Sequence, residues 1–144
     1  MYENDTIYLL KECNSGVKMA TNSITDVLNK VRSRQLNSIL EDTLKIHKKL
    51  GDEIHSILSK YNEDGKEPGY IARAMSWMNI NFRFLVNPTD TKIAELMYDG
   101  CHMGIKSIYQ YQNQYSHATD FAQSQASHII EAEKDCMAKL QKYL

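Results

Sequence analysis

The feature that most constrains this chain is the spacing of its apolar residues over four long stretches. In the first, Leu10, Cys13, Val17, Ala20, Ile24, Val27 and Val31 recur at steps of three and four, which places them on one face of a helix. A helix is predicted over residues 5–32, with Asp5 or Thr6 as its N-cap. The second stretch, 35–62, repeats the pattern with Leu36, Leu40, Thr43, His47, Leu50, Ile54, Ile57 and Tyr61, and stops at Asn62-Glu63-Asp64-Gly65. Thr89-Asp90 offers the caps for a third helix over 91–115. A fourth runs from 118 to the C-terminus, with Ala122, Ala126, Ile129, Glu133, Cys136, Leu140 and Leu144 on one face. Four amphipathic helices of this length predict an all-α four-helix bundle. It forms a single domain over 1–144: a hairpin at 5–62, a linker at 63–89 and a second hairpin at 90–144.

The linker differs in character. It holds both prolines, Pro68 and Pro88, and a Met- and aromatic-rich stretch between them. Ile71, Ala74, Met75, Met78, Phe82 and Leu85 have helical spacing, so a shorter helix is predicted inside the connection. Trp77, Met75, Met78, Phe82 and Phe84 read as cover over the bundle, extending into a homodimer contact. Tyr109, Tyr111 and Tyr115, interleaved with Gln110, Gln112 and Gln114, read as a helix face that meets a protein partner.

Charge and composition remove several function classes. Seventeen basic against eighteen acidic residues leave a net charge of -1 over 144 residues, without the basic excess that phosphate-backbone binding draws on. Apolar residues make up 42%, enough for a packed core. No run of 18 apolar residues suggests a membrane span, and the N-terminal residues lack a basic region followed by an apolar one. Three widely spaced cysteines, an odd number, do not make a disulfide framework. The expected compartment is the cytoplasm. G-x-G-x-x-G, P-loop, G-x-S-x-G and paired C-x-x-C motifs are all missing from the sequence, so nothing in it points to phosphate binding or nucleophilic catalysis.

Two segments resemble each other. Cys13-Asn-Ser-Gly16-Val17-Lys18 and Cys101-His-Met-Gly104-Ile105-Lys106 both read C-x-x-G-[VI]-K, and each lies early in the first helix of a predicted hairpin. With its duplicated hairpins and long middle connection, the chain resembles the ferritin-like superfamily. The C-x-x-G stretch is similar to that of small bacterial ferritin-like proteins of uncharacterised function. The resemblance implies a bundle with a crossover between its second and third long helices. In many relatives it also implies a di-iron centre bound by carboxylates and histidines.

Such centres take a Glu from each of two helices and a Glu-x-x-His from each of the other two. The chain has no Glu-x-x-His; the nearest forms are Asp52-x-x-His55 and Asp99-x-x-His102. At about 100° per residue, Asp52 lies roughly 140° from His47 and points away from the apolar stripe, as Asp99 does on its own helix. Metal-ligand candidates are instead the inward polar residues His47, Glu133, Cys101 and Cys13, with Asp99 and His102 assisting if the third helix is rotated. An inward carboxylate must find a proton, a cation or a donor, because an isolated buried charge is too costly.

Topology decides which of them meet. In an up-down-up-down bundle, Cys13, Cys101 and Cys136 fall in one layer, a set suited to copper or zinc. In a crossover bundle, His47, Cys101 and Glu133 share a level, each about 11–13 residues from one end at 1.5 Å per residue. The length of the connection favours the crossover. Gly16 and Gly104, inside predicted helices, signal either close helix approach or room for a small molecule or metal. The expected function is that of a non-catalytic ferritin-like bundle acting as a binding or structural module. The alternatives are iron or mixed-ligand metal storage or oxidase-like chemistry, and a soft-metal thiolate binder of zinc or copper.

Overall fold

A computed structural model describes residues 2–61 and 85–144 of the chain. These form four long helices: α1 (Tyr2–Leu28), α2 (Arg34–Lys60), α3 (Asp90–Gln114) and α4 (Asp120–Leu140), with a closing 3-10 turn at Gln141–Tyr143. The predicted short helix, the Trp77 cluster and the Asn62–Gly65 stop fall on residues 62–84, outside the described residues.

Three helix starts follow directly from capping chemistry. The side chains of Ser33, Thr89 and Thr119 accept hydrogen bonds from the backbone N–H of Leu36, Lys92 and Ala122 at 3.2, 3.0 and 3.2 Å. Each satisfies one of the amide donors that a helix leaves free at its N-terminus. The expected cap of α1 is corrected. The helix already begins at Tyr2, and Asp5 and Thr6, inside it, reach across to the α3–α4 turn. Asp5 accepts from the N–H of His117 at 3.0 Å and Thr6 from that of Thr119 at 2.9 Å. The two side chains therefore serve the start of α4. The first helix also stops at Leu28, four residues short of expectation, where the Asn37 amide donates to the Leu28 carbonyl at 3.1 Å.

The directions of the helices follow from what meets at each end. The start of α1 packs with the end of α2, the end of α3 and the start of α4 in one apolar cluster built on Leu9, Leu10, Leu50, Ile54, Leu58, Ile108 and Ile129. The end of α1, the start of α2, the start of α3 and the end of α4 form a second, built on Ile24, Val27, Leu36, Leu40, Ile93, Met97 and Leu140. Asp90 locks this second end: its carboxylate accepts from the N–H of Arg32 at 2.8 Å and of Ser33 at 2.9 Å. Hence α1 and α2 are antiparallel, α3 and α4 are antiparallel, and α2 and α3 run parallel. Repeat-related residues therefore lie at opposite levels, Cys13 in the first cluster and Cys101 in the second. Full burial of each Leu or Ile in these clusters contributes about 1.5–3 kcal/mol.

The glycine expectation also changes. A Cβ at Gly16 would meet the Ile108 side chain at 3.7 Å and one at Gly104 the Glu133 side chain at 3.9 Å, both ordinary contacts. Close approach occurs at Gly51, where a Cβ would lie 3.0 Å from a Val17 methyl. The α1–α2 contact is the tight one.

Candidate functional site: a buried polar layer

Between the two apolar clusters lies a layer of polar side chains. On α2 the buried face reads Leu36, Leu40, then Thr43 and His47, then Leu50 and Ile54. On α4 it reads Ala126, Ile129 and Ile130, then Glu133, then Cys136 and Leu140. Helical geometry puts Thr43 and His47 four residues apart on one face, and Glu133 and Cys136 three apart on the facing one. Cys101 of α3 completes the layer.

His47 is fully buried and Glu133 only 7% exposed. The His47 Nδ1–H donates to the Thr43 carbonyl at 2.8 Å, and Nε2 stands 2.7 Å from Oε1 of Glu133. With Nδ1 protonated by this bond, one further proton belongs to the Nε2–carboxylate contact. Burial opposes a charged ring, but the hydrogen bond and charge of Glu133 outweigh it and raise the imidazole pKa. The contact is thus a buried histidine–carboxylate pair sharing one proton, with both ring nitrogens satisfied.

The two thiols extend the network. Cys101 and Cys136 lie on α3 and α4 in the second apolar cluster, close enough to Glu133 to feel its charge. The neighbouring Cys136, burial and the Glu133 charge push the Cys101 thiol up. The neighbouring Cys101 draws Cys136 down, against the effect of burial, with help from Thr43 and the nearby His47.

His47, Glu133 and Cys101 therefore come together, while the other metal-ligand candidates stand apart. Cys13 sits in the opposite half of the core, its thiol pushed up to about 12 by burial and by neighbouring Glu12. The three cysteines accordingly do not form one layer. Asp99 and His102 are exposed, as are Asp52 and His55; the His102 ring sits edge-on to Tyr98 at 5.5 Å. Among the described residues, no group of three or more His, Cys, Asp or Glu side chains is arranged to hold a metal ion. None of their helices is long and apolar enough to cross a membrane.

The sequence reading missed Cys136 and Thr43 as members of this cluster, and Glu12 as a second buried carboxylate. The spacing from Glu133 to Cys136 and from Thr43 to His47 was the signal for the first two. The tyrosine–glutamine face is corrected in part. Tyr111 stacks on Tyr115 at 6.4 Å, and Tyr115 meets Tyr8 of α1 at 5.6 Å. Gln112 and Gln123 exchange side-chain to backbone bonds across the α3–α4 hairpin. These residues close the hairpin, and Tyr109 alone of the three tyrosines is exposed, bonded to Lys134 at 2.9 Å.

A shallow groove between α1 and α2, lined by Asn14, Lys18, Lys48, Gly51, Asp52 and His55 among others, does not involve the layer. Comparison of the chain with known protein families, with curated proteins and with solved structures finds no match.

Proposed function

We propose that the chain is a ferritin-like bundle acting as a binding and structural module without catalysis of its own. The observation carrying this reading is that His47 commits both ring nitrogens inside the protein, to Thr43 and Glu133. Such a layer fixes the register of α2 against α4, since any slip leaves a buried charge unpaired. The parallel course of α2 and α3 between two antiparallel hairpins supports the ferritin-like kinship. A second copy of the chain, or another protein, is the partner such a module takes. Three free, buried thiols suit a reducing, cytoplasmic setting. The test is elemental analysis of untagged protein purified anaerobically, alongside the stability of a His47→Leu/Glu133→Leu double variant. The module reading expects metal-free protein and an unchanged or raised midpoint. A tightly bound, redox-active iron pair would overturn it.

A second reading, metal handling, is favoured by the His47 tautomer. An Nδ1–H donated to a backbone carbonyl leaves Nε2 as the ligating nitrogen, as in protein metal sites, and it faces Glu133 beside two thiols. A metal would displace the shared proton and require the already buried Cys101 and Cys136 to turn toward Nε2 of His47. The donor set of two sulfurs, a nitrogen and a carboxylate suits zinc or copper. It does not suit a di-iron centre, because among the described residues Glu133 is the one carboxylate of the layer. About one zinc or copper per chain, lost in the double variant, would establish this reading in place of the first.

A further inference from the structure

The groove between α1 and α2 lies outside the buried layer, and it holds a polar group that the fold does not pair. Asn14 lines it, is only 6% exposed, and makes no side-chain hydrogen bond among the described residues. Burying an amide without a partner is unfavourable, and asparagine is a poorer helix former than alanine or leucine. Its amide borders a space of about 410 Å³, within the size range of small-molecule sites.

The charges along the groove are sorted by end. The two helices are antiparallel and approach closely where Val17 faces Gly51. From that contact, Lys18 of α1 and Lys48 of α2 both lie toward the end of α1, whereas Asn14 and Asp52 both lie toward its start, with His55 beyond them. On each helix the two groups are four residues apart, about 6 Å along the axis. Lys48 and Asp52 are exposed and enter no ion pair among the described residues, not even with each other. Gly51, between them, carries no side chain, so the space separating the two charges stays open.

We propose that this groove binds a small zwitterion of the amino-carboxylate class. The ligand carboxylate meets Lys18 and Lys48. Its ammonium donates to the Asp52 carboxylate and the Asn14 side-chain oxygen, and a short methylene chain crosses Gly51 and Val17. A separation of about 6 Å suits charges joined through four methylenes, rather than the two charges that an α-amino acid carries on one carbon.

The experiment titrates isotope-labelled, full-length protein with δ-aminovalerate and follows the backbone amides by proton–nitrogen correlation NMR. The expected result is a set of saturable shifts, in the millimolar range or tighter, centred on residues 14–18 and 48–52. Valerate and cadaverine, each lacking one of the two charges, should bind about fivefold more weakly, the scale of one exposed ion pair. Lys48→Gln and Asp52→Asn, at exposed positions that leave the core intact, should lower affinity by the same factor. Asn14→Leu should weaken binding about tenfold, through loss of a buried hydrogen bond to a charged group. No saturable shift, shifts centred away from the groove, valerate or cadaverine bound as tightly as the zwitterion, or full affinity in Asn14→Leu would each overturn the proposal. None of these readouts involves the His47–Glu133 layer or its metal content, so this proposal and the module reading can fail separately.

Discussion

Nε2 of His47 on α2 and Oε1 of Glu133 on α4 stand 2.7 Å apart in the middle of the bundle, 86 positions apart in the chain, with His47 fully buried and Glu133 nearly so. Removing one partner leaves the other buried without its counter-charge. His47→Leu or Glu133→Leu alone should therefore cost about 3–5 kcal/mol. The double replacement should recover most of that loss or exceed the parent. Urea denaturation of the four proteins of this cycle measures the coupling directly.

The same pair sets a pH dependence. The folded chain holds the His47 proton more firmly than the unfolded chain, whose imidazole titrates near its ordinary value of 6.5. Between 6.5 and the raised folded value the native state binds the extra proton, so stability falls as pH rises through that window. Below the window the contribution is fully present. Denaturation midpoints across this range should fall in the parent and stay level in the double leucine variant.

Gly104 and Gly51 should answer alanine differently. At Gly104 the new methyl meets Glu133 at 3.9 Å, an ordinary contact, and the helix gains about 1 kcal/mol from the better propensity. At Gly51 the methyl lands 3.0 Å from Val17, a stiff β-branched side chain on the neighbouring helix. Thermal midpoints should rise for Gly104→Ala and stay below that rise for Gly51→Ala.

Asp90 ties the start of α3 to the turn between α1 and α2. Asp90→Ala removes two charge-assisted bonds to the N–H groups of Arg32 and Ser33 and a favourable charge from the first turn of α3. The expected loss is about 2 kcal/mol, read by denaturant unfolding. Hydrogen exchange at the Arg32 and Ser33 amides should quicken in the variant.

Cys13, with its pKa pushed up to about 12 and no exposure, should stay unmodified by iodoacetamide in the folded protein at neutral pH. It should react at once on unfolding. Alkylation followed by peptide mass mapping checks this.

Much of the central layer was legible in the sequence because helical periodicity alone assigns faces and levels. His47, Glu133 and Cys101 were placed together from spacing and from a crossover inferred from connection length. The outward positions of Asp52 and Asp99 came from the same arithmetic. What periodicity cannot supply is which atoms touch. Periodicity puts Cys136 on the inward face, but which side chains it meets depends on how α3 and α4 are rotated about their own axes. Asp5 and Thr6 have the chemistry of caps, and only the tertiary arrangement assigns them to a turn more than 110 residues away. Glu12 looks like an ordinary surface acid beside Cys13 until four helices close around it.

The parallel course of α2 and α3 turns the length of the chain between them into a structural parameter. Each helix measures about 40 Å at 1.5 Å per residue, so about a dozen fully extended residues is the least that can join the end of one to the start of the other. A shortening below that limit would force α3 to enter from the opposite end. The second hairpin would then present Cys101 and Glu133 at new heights against His47. An engineered variant with a tight turn at that point would thus be a different protein made from the same four helices, its charged pair divorced by topology alone.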